Sequence, residues 1–260
     1  MKISLLDNSH NFLKEAISKA ILAEKELEQW KFAIFNLVQS IELALKEKLR
    51  QDHPALIFSN VDKLEKTVSI DQAIIRLRKI SKVEFSKKDI RTLASAKKWR
   101  NLIVHHEFEL KPAELKPLFA KLLGFLSYFH LKYLDETLDN IVPPNLWEKA
   151  IEIVDYAAEL CKTAEKHFEE EGFDISFAWN CRKCSWDAFV AQDKINTCYV
   201  CGWSEDVIEC PECGELFYED ECEELQTGDE QFELFFENCY ERQVHDMACH
   251  DVAMEQYYAD

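Results

Sequence analysis

Three residue types that suit phosphoryl transfer lie within one short stretch of the chain. Arg100 carries a permanent positive charge, Asn101 carries an amide, and His105 is of the residue type that ordinarily titrates near neutrality. A cation that stabilises a charged phosphorane and a group that moves a proton are enough for phosphoryl transfer without a metal. The stretch from Lys97 to His106 is therefore the first candidate for a functional site.

One helix is predicted to carry these residues. Ser86 followed by Asp89 matches a capping box, so the helix should begin there and run to about His106. At about 100° per residue, Asn101 and His105 lie one turn apart, and Arg100 falls with them in an arc of about 140°. The three side chains can converge on one ligand. Two copies of the helix meeting across a two-fold axis would form a cleft, which predicts a homodimer through this helix.

The distribution of charge points to a polyanion near the motif. Residues 1–140 carry 24 Lys and Arg against 19 Asp and Glu, whereas residues 141–260 carry 7 against 30. Residues 76–100 hold 10 basic and 2 acidic side chains and end at the motif. A basic run is usually a solvated helix face, but one beside a candidate site can also guide a polyanion toward it. Lys97 and Lys98 are the predicted substrate contacts.

The spacing of apolar residues predicts a mainly helical chain, because five glycines are present and apolar positions recur every three or four residues. The predicted helices span about 11–25, 27–51, 70–80, 86–106, 118–138 and 145–171, with a loop at 54–60 and interruptions at Pro112 and Pro117. The predicted organisation is a helical bundle over 1–140, a connecting long helix over 141–172, a zinc ribbon over 173–206, and a second zinc-binding module with a short C-terminal helix over 207–260.

These residues carry a resemblance to a known family. The segments Trp30-Lys31-Phe32-Ala33-Ile34-Phe35 and Ile41-Glu42-Leu43-Ala44-Leu45-Lys46, followed by a helix with Arg-Asn-x-x-x-His, resemble the HEPN superfamily over residues 1–140. The resemblance implies a dimeric helical bundle and a metal-independent endoribonuclease that acts as a toxin or in phage defence. Some members carry a modifiable Tyr two residues after the His, where this chain has Glu107.

The resemblance also implies a role for each motif residue. Arg100 would stabilise the phosphorane, Asn101 would orient the motif or the phosphate, and His105 would transfer a proton, which leaves a 2′,3′-cyclic phosphate on the RNA. Many HEPN domains only bind or scaffold, so a non-catalytic dimeric interaction protein is the alternative. Glu42 could neutralise Arg100 across the bundle, although a solvated position is the more usual role of a helical glutamate.

Most of the ten cysteines fall in Cys-x-x-Cys pairs, which favour metal thiolates in a chain without an export signal. Two pairs separated by thirteen residues match a zinc ribbon in which four thiolates hold one structural Zn²⁺. A fully thiolate shell has no open position for a reactive water, so no catalytic metal is expected there. The predicted ligands are Cys181, Cys184, Cys198 and Cys201.

A further pair, Cys210 and Cys213, needs two more ligands to hold a second structural zinc ion. Cys239 and Cys222 are the preferred partners, and the competing residues are His245, Cys249 and His250. The region is strongly acidic, so direct contact with RNA is disfavoured, and recognition of a protein regulator or antitoxin is expected instead. The acidic module could also fold over the basic run and restrain the nuclease, in which case deletion of 173–260 would raise activity.

Two further features bear on location. No apolar run approaches the roughly 18 residues of a membrane span, and the N-terminus lacks a basic segment followed by a small-residue cleavage site. The sequence therefore predicts a cytoplasmic protein without a membrane partner.

Overall fold

The computed structural model describes residues 3–109, 111–192, 195–227 and 231–259, with no side-chain description for 248 and 250–259. By its internal contacts the chain divides into two compact units. The first comprises residues 1–188 and 199–202, and the second comprises 189–198 and 203–260. The prediction of a mainly helical protein with small β-sheets and a cysteine cluster in the C-terminal part is confirmed.

Two long helices form the centre of the first unit. Helix α1 spans Leu5–Leu22 and begins at Ser4, whose hydroxyl accepts a hydrogen bond from the Asp7 amide. Helix α2 spans Gln29–Asp52 and packs against α1. Apolar residues recur three and four positions apart in α2, so they share one side of the helix, and that side is fully buried. That face includes Trp30, Ala33, Ile34, Leu37, Val38, Ile41, Leu45 and Leu49.

A small hairpin stands where the sequence predicts only a loop. Strands β1 (Phe58–Asn60) and β2 (Lys63–Thr67) pair antiparallel before helix α3 (Ile70–Lys79). The strands are short and largely exposed, so they lack the apolar alternation that reveals a strand in a sequence. The Arg76 guanidinium stabilises the hairpin by donating to the backbone carbonyl oxygens of Leu56, Phe58 and Ser59.

Helices α4 and α5 follow. Helix α4 spans Lys87–His105, within a residue or so of the prediction, and α5 spans Pro112–Tyr133. Helix α5 therefore begins six residues before the expected start, with Pro117 inside its second turn. Pro112 fits the first helical position because the amide there has no intrahelical acceptor. Pro117 leaves only the carbonyl of Ala113 without its helical donor, and Ala113 is exposed to water.

The first unit also contains the long helix that the sequence assigned as a connection. A short helix α6 (Leu138–Ile141) leads into α7 (Pro144–Glu171), which packs against α1 and α5 and places Ala150 and Ile153 in the main core. The helix ends at Gly172, whose φ of 73° is the left-handed conformation that glycine adopts without strain.

The remaining elements are short. Strands β3 (Trp179–Asn180), β4 (Asp187–Val190) and β5 (Thr197–Cys198) form one small sheet. In the second unit, β6 (Val207–Glu209) pairs with β7 (Leu216–Tyr218), and β8 (Cys222–Gln226) pairs with β9 (Phe232–Phe236). Helix α8 (Glu237–Ala259) follows β9 directly. A small aromatic core holds this unit together: Phe189, Trp203 and Tyr218.

Candidate functional site

Helix α4 positions the motif residues, and its start is set by the capping box that the sequence predicts. The Ser86 hydroxyl accepts a hydrogen bond from the Asp89 amide at 3.1 Å, and the Asp89 carboxylate accepts one from the Ser86 amide at 2.8 Å. These bonds satisfy donors that a helix otherwise leaves unpaired at its N-terminus. The helix continues without interruption to His105, so its register fixes which side chains share a face.

Arg100 is held by a carboxylate from the neighbouring helix α2. Its Nη1 lies 2.8 Å from Oε2 of Glu42, and its Nη2 lies 3.3 Å from Oδ1 of Asn101. Glu42 also accepts from Nζ of Lys46 at 2.6 Å and is only 14% exposed. The structure therefore gives Glu42 the pairing role that the sequence ranked second. Two cations share one carboxylate, so the cluster keeps a net positive charge and the guanidinium has a fixed orientation.

The two histidines lie at the solvent-exposed end of α4. His105 is the last helical residue and His106 is the C-cap, and both side chains are exposed. Among the described residues, no hydrogen bond or ion pair joins His105 to Arg100. Helical geometry separates the two by about 140° around the axis and about 7.5 Å along it. Asn101 lies between them, one turn before His105, on an exposed face that a large ligand can reach.

The basic run before the motif is partly occupied by internal contacts. Lys97, a predicted substrate contact, forms an exposed ion pair with Asp71 at 2.8 Å, whereas Lys98 is exposed. Arg76 is committed to the hairpin carbonyls. Lys97 lies one turn before Asn101 and belongs to the same exposed face. An ion pair between exposed groups is weak and screened by salt, so Lys97 remains available to a polyanion.

A contact that the sequence did not reveal attaches the first cysteine pair to α4. The Trp99 indole donates to the backbone oxygen of Lys183 at 3.1 Å, and the hydroxyls of Ser95 and Ser185 are hydrogen bonded. Trp99 is 3% exposed and directly precedes Arg100. No short motif announces such a contact, because the partners are more than eighty residues apart in the chain.

The segment after this cysteine pair makes further contacts with the helical core. The Trp186 indole donates to the backbone oxygen of Pro117 at 3.2 Å, and Asp187 lies 3.5 Å from the Arg91 guanidinium. Burial lowers the pKa of Lys121 to about 8, and the ammonium lies 5.4 Å from the centre of the Trp186 ring. On α4, the contact residues Ser95 and Trp99 lie about 120° and 160° around the helix from Asn101. These contacts leave Arg100, Asn101 and His105 uncovered.

Three Cys-x-x-Cys turns share one backbone geometry. In each, the amide of the first cysteine donates to the carbonyl five residues later, at 2.7 Å for Cys181, 2.7 Å for Cys198 and 2.9 Å for Cys210. The residue after the second cysteine has positive φ in every case. These residues are Ser185 at 64°, Gly202 at 72° and Gly214 at 69°. The repeated turn aims both thiols of a pair to the same side, as a shared metal ion requires.

The first cysteine group has the composition and burial of a metal site. All four predicted ligands are buried, and their sulfur atoms lie within 4.8 Å of one another. The sulfurs of Cys181 and Cys201 are 3.7 Å apart, and the Lys183 amide donates to the Cys181 sulfur at 3.4 Å. Sulfurs about 2.3 Å from a tetrahedral ion are separated by a little under 4 Å, so the spacing fits a metal ion bound at its centre.

The second group contains three of the four preferred residues. Cys210, Cys213 and Cys239 lie within 4.8 Å of one another, whereas Cys222 is outside this group and its thiol lies 3.8 Å from the backbone oxygen of Tyr218. Burial disfavours ionisation of Cys210, but the amides of Cys213, Phe236 and Glu212 lower its pKa to about 7. Backbone donors that stabilise a thiolate suit a metal ligand.

The competing ligands of this second group lie elsewhere. His245 and Cys249 are exposed on α8 one turn apart, with Nδ1 and the sulfur separated by 3.7 Å, and neither belongs to the Cys210 group. The side chain of His250 lies outside the described residues. An additional neighbour is Arg242, whose guanidinium lies 3.2 Å from the Cys239 sulfur and 3.1 Å from Glu212. This cation would offset negative charge on the sulfurs if they bind a metal ion as thiolates.

Comparison with known proteins identifies no relative of this chain. No family model, no curated protein and no solved structure matches the chain significantly. Across the described residues, no helix combines the length and the apolarity needed to cross a membrane.

Proposed function

We propose that the chain is a HEPN-type, metal-independent endoribonuclease that acts as a toxin or phage-defence effector in the cytoplasm. The observation that carries the proposal is the exposed face of α4, where Arg100, fixed by Glu42, shares a surface with Asn101 and His105. A guanidinium held in one orientation costs little further ordering when it binds a phosphate. The mainly helical surroundings of α4 agree with the family resemblance.

The reaction needs the transfer of one proton at each end of the broken bond. The ribose 2′-oxygen attacks phosphorus as its proton is removed, and the bond from phosphorus to the 5′-oxygen breaks as that oxygen is protonated. His105 transfers protons in this scheme, and Arg100 stabilises the charge on the non-bridging oxygens. Asn101 orients Arg100 through its side-chain oxygen. The products are a 2′,3′-cyclic phosphate and a 5′-hydroxyl.

A homodimer completes the proposed site. One copy offers a single histidine on an open surface, and two copies of α4 across a two-fold axis would enclose the phosphate between two such faces. Val104 supports this arrangement because it is an apolar side chain, 53% exposed, on the same face and next to His105. Lys97 and Lys98 would extend the positive surface along the RNA.

The cysteine groups are proposed to hold structural Zn²⁺ in a zinc ribbon and a second module. Cysteine sulfurs gathered within 4.8 Å of one another match the ligand preference of zinc. The first ion would fix the loop that contacts Trp99, and it would thereby stabilise α4 on the side away from Asn101. Cys222, which lies outside the Cys210 group in the structure, is the proposed fourth ligand of the second site.

A cleavage assay with neighbouring histidines as a matched pair tests the nuclease proposal. Purified protein is incubated with tRNA and total RNA without divalent metal, and Arg100→Ala and His105→Ala are expected to lose at least a hundredfold in rate. His106→Ala is the control, since it removes an exposed imidazole one residue away, and it should keep wild-type activity. Equal losses at both histidines, or cleavage that survives in all variants, would contradict the assignment.

A non-catalytic interaction protein is the second candidate, and exposed aromatic side chains favour it. Phe177 is 80% exposed and Phe232 is 57% exposed. Large apolar side chains that face solvent are typical of surfaces that recognise another protein, such as a regulator or an antitoxin. Failure of the wild-type protein to cleave any RNA, with the dimer intact, would favour this candidate.

A further inference from the structure

Two histidines and a glutamate meet inside the helical unit, away from every cysteine. His10 lies on α1, His130 lies on the last turn of α5, and Glu136 lies in the connection to α6. One potential ligand atom from each lies within 4.8 Å of the others. His10 is at least 120 residues from the other two in the chain, so the fold creates the group by bringing α1 close to the end of α5.

The backbone turn after α5 brings the glutamate back to the histidine. Asp135 has a φ of 56°, a left-handed conformation that aspartate tolerates better than most residues. The chain reverses there, and the amides of Leu134 and Glu136 both reach the carbonyl oxygen of His130, at 3.0 and 3.4 Å. The carboxylate is therefore held close to the imidazole by backbone geometry and not by a flexible loop.

The polar atoms of this group lack the partners that buried polar atoms normally have. His130 is completely buried, and within the described residues neither of its ring nitrogens has a hydrogen-bond partner. The same holds for Nε2 of His10 and for Oε2 of Glu136. Buried polar groups are nearly always satisfied, so several unsatisfied atoms that face one another point to a ligand between them.

The distances fit a bound metal ion. Oε2 of Glu136 lies 3.1 Å from Nε2 of His10 and 3.7 Å from Nδ1 of His130. Two ligands about 2.1 Å from a tetrahedral Zn²⁺ are separated by about 3.4 Å, midway between these values. The short approach between His10 and Glu136 makes no hydrogen bond. A simple ion pair would leave both nitrogens of His130 unsatisfied.

We propose that His10, His130 and Glu136 form a binding site for a divalent first-row transition metal such as Zn²⁺, which joins α1 to the end of α5. Two imidazoles and one carboxylate are a ligand set that zinc accepts, with a further position left for water. The Glu136 side chain is 35% exposed and gives the ion a route from solvent. The site is independent of the cysteine groups and of the motif on α4.

Metal content of the full-length protein tests the proposal. Protein loaded with excess Zn²⁺ and then gel-filtered is analysed for zinc per chain, in the wild type and in the variants Glu136→Gln and His10→Asn. Each variant is expected to hold one zinc ion fewer than the wild type, because the cysteine ligands are unchanged. Glu148→Gln, an exposed change of the same kind on α7, is the control and should retain the wild-type content. Zinc content equal to the wild type in both variants would overturn the proposal.

A second measurement on the wild-type protein covers the case in which a variant fails to fold. Cobalt(II) replaces zinc, and thiolate-bound cobalt is recognised by its sulfur-to-metal charge-transfer absorption. Cobalt in the proposed site adds absorption without that signature and shifts imidazole proton resonances by its unpaired electrons. Cobalt uptake accounted for by thiolate sites alone, with no shifted imidazole signals, would also overturn the proposal.

Discussion

Ser185 shows how a single residue can link a Cys-x-x-Cys turn to a helix. Glycine occupies the corresponding positions of the other two turns, since positive φ is strained for a residue with a Cβ atom. Ser185 accepts this strain, is completely buried, and uses its hydroxyl to contact Ser95 on α4. Positive φ disfavours any side chain at this position, yet the Ser185 side chain is what attaches the turn to the helix.

Two substitutions at Ser185 separate the effect of its backbone strain from the effect of its hydrogen bond to Ser95. Ser185→Gly relieves about 1 kcal/mol of backbone strain but loses a hydrogen bond worth about 1 kcal/mol, so its free energy of unfolding should be near that of the wild type. Ser185→Ala loses the hydrogen bond and keeps the backbone strain, so it should be less stable than the wild type by about 1–2 kcal/mol. Urea denaturation followed by helical circular dichroism measures the difference. An alanine variant more stable than the glycine variant would contradict this account.

At the scale of elements, the first cysteine group and α4 should be energetically coupled. Trp99, Ser95 and Arg91 all contact residues 183–187, whose conformation depends on the turn between Cys181 and Cys184. A turn of this kind without its metal has little core of its own to keep it folded. Loss of the ion is therefore expected to loosen α4.

Hydrogen exchange measures this coupling in the full-length chain. Cys184→Ser removes one ligand of the first group and leaves the His10 group intact, so the backbone amides of α4 should exchange several times faster than in the wild type. Helix α3 is the internal control, because it has no described contact with residues 183–187 and should exchange at an unchanged rate. Equal acceleration in both helices would indicate general destabilisation, and no change in either would exclude the coupling.

Local rules predicted most of the helices but not the residues that they contact. The capping box at Ser86 and Asp89 and the glycine at 172 set helix ends through bonds within a few residues, so the sequence predicted α4 and the end of α7 closely. The hairpin at 58–67 was missed because its stability comes from Arg76, a cation outside the strands. The start of α5 was misplaced because Pro117 was assumed to end a helix that it only weakens.

On the scale of the whole molecule, the sequence likewise predicted the sites formed by neighbouring residues better than the sites formed by distant ones. Cys-x-x-Cys spacing is a local signal, and the sequence identified all four members of the first group and three members of the second. Glu42 was weighed as a partner of Arg100, but nothing local could decide between pairing and solvation. The group of His10, His130 and Glu136 gives no signal at all in the sequence, because its members meet only in the folded chain, where His10 of α1 approaches the end of α5.

The net charge of the molecule resides almost entirely in its last segment. Residues 205–260 carry 19 Asp and Glu against one Arg, so the rest of the chain has equal numbers of acidic and basic residues. Such a segment repels RNA over about one Debye length, roughly 10 Å at 0.1 M salt. If the chain binds RNA through α4, we expect the segment to weaken that binding electrostatically.

Charge-neutral replacements on the β8–β9 hairpin test this effect in the intact protein. Glu223, Glu224 and Glu233 are exposed, so their combined replacement by Gln should keep the fold and raise RNA affinity severalfold at low salt. The same three positions changed to Asp keep the charge and serve as the control, with affinity near the wild type. Fluorescence anisotropy with labelled RNA at low and at high salt measures the difference, which screening should abolish near 1 M, where the Debye length is about 3 Å. Unchanged affinity of the Gln variant at low salt, or an increase that persists at high salt, would contradict long-range repulsion of RNA by the acidic segment.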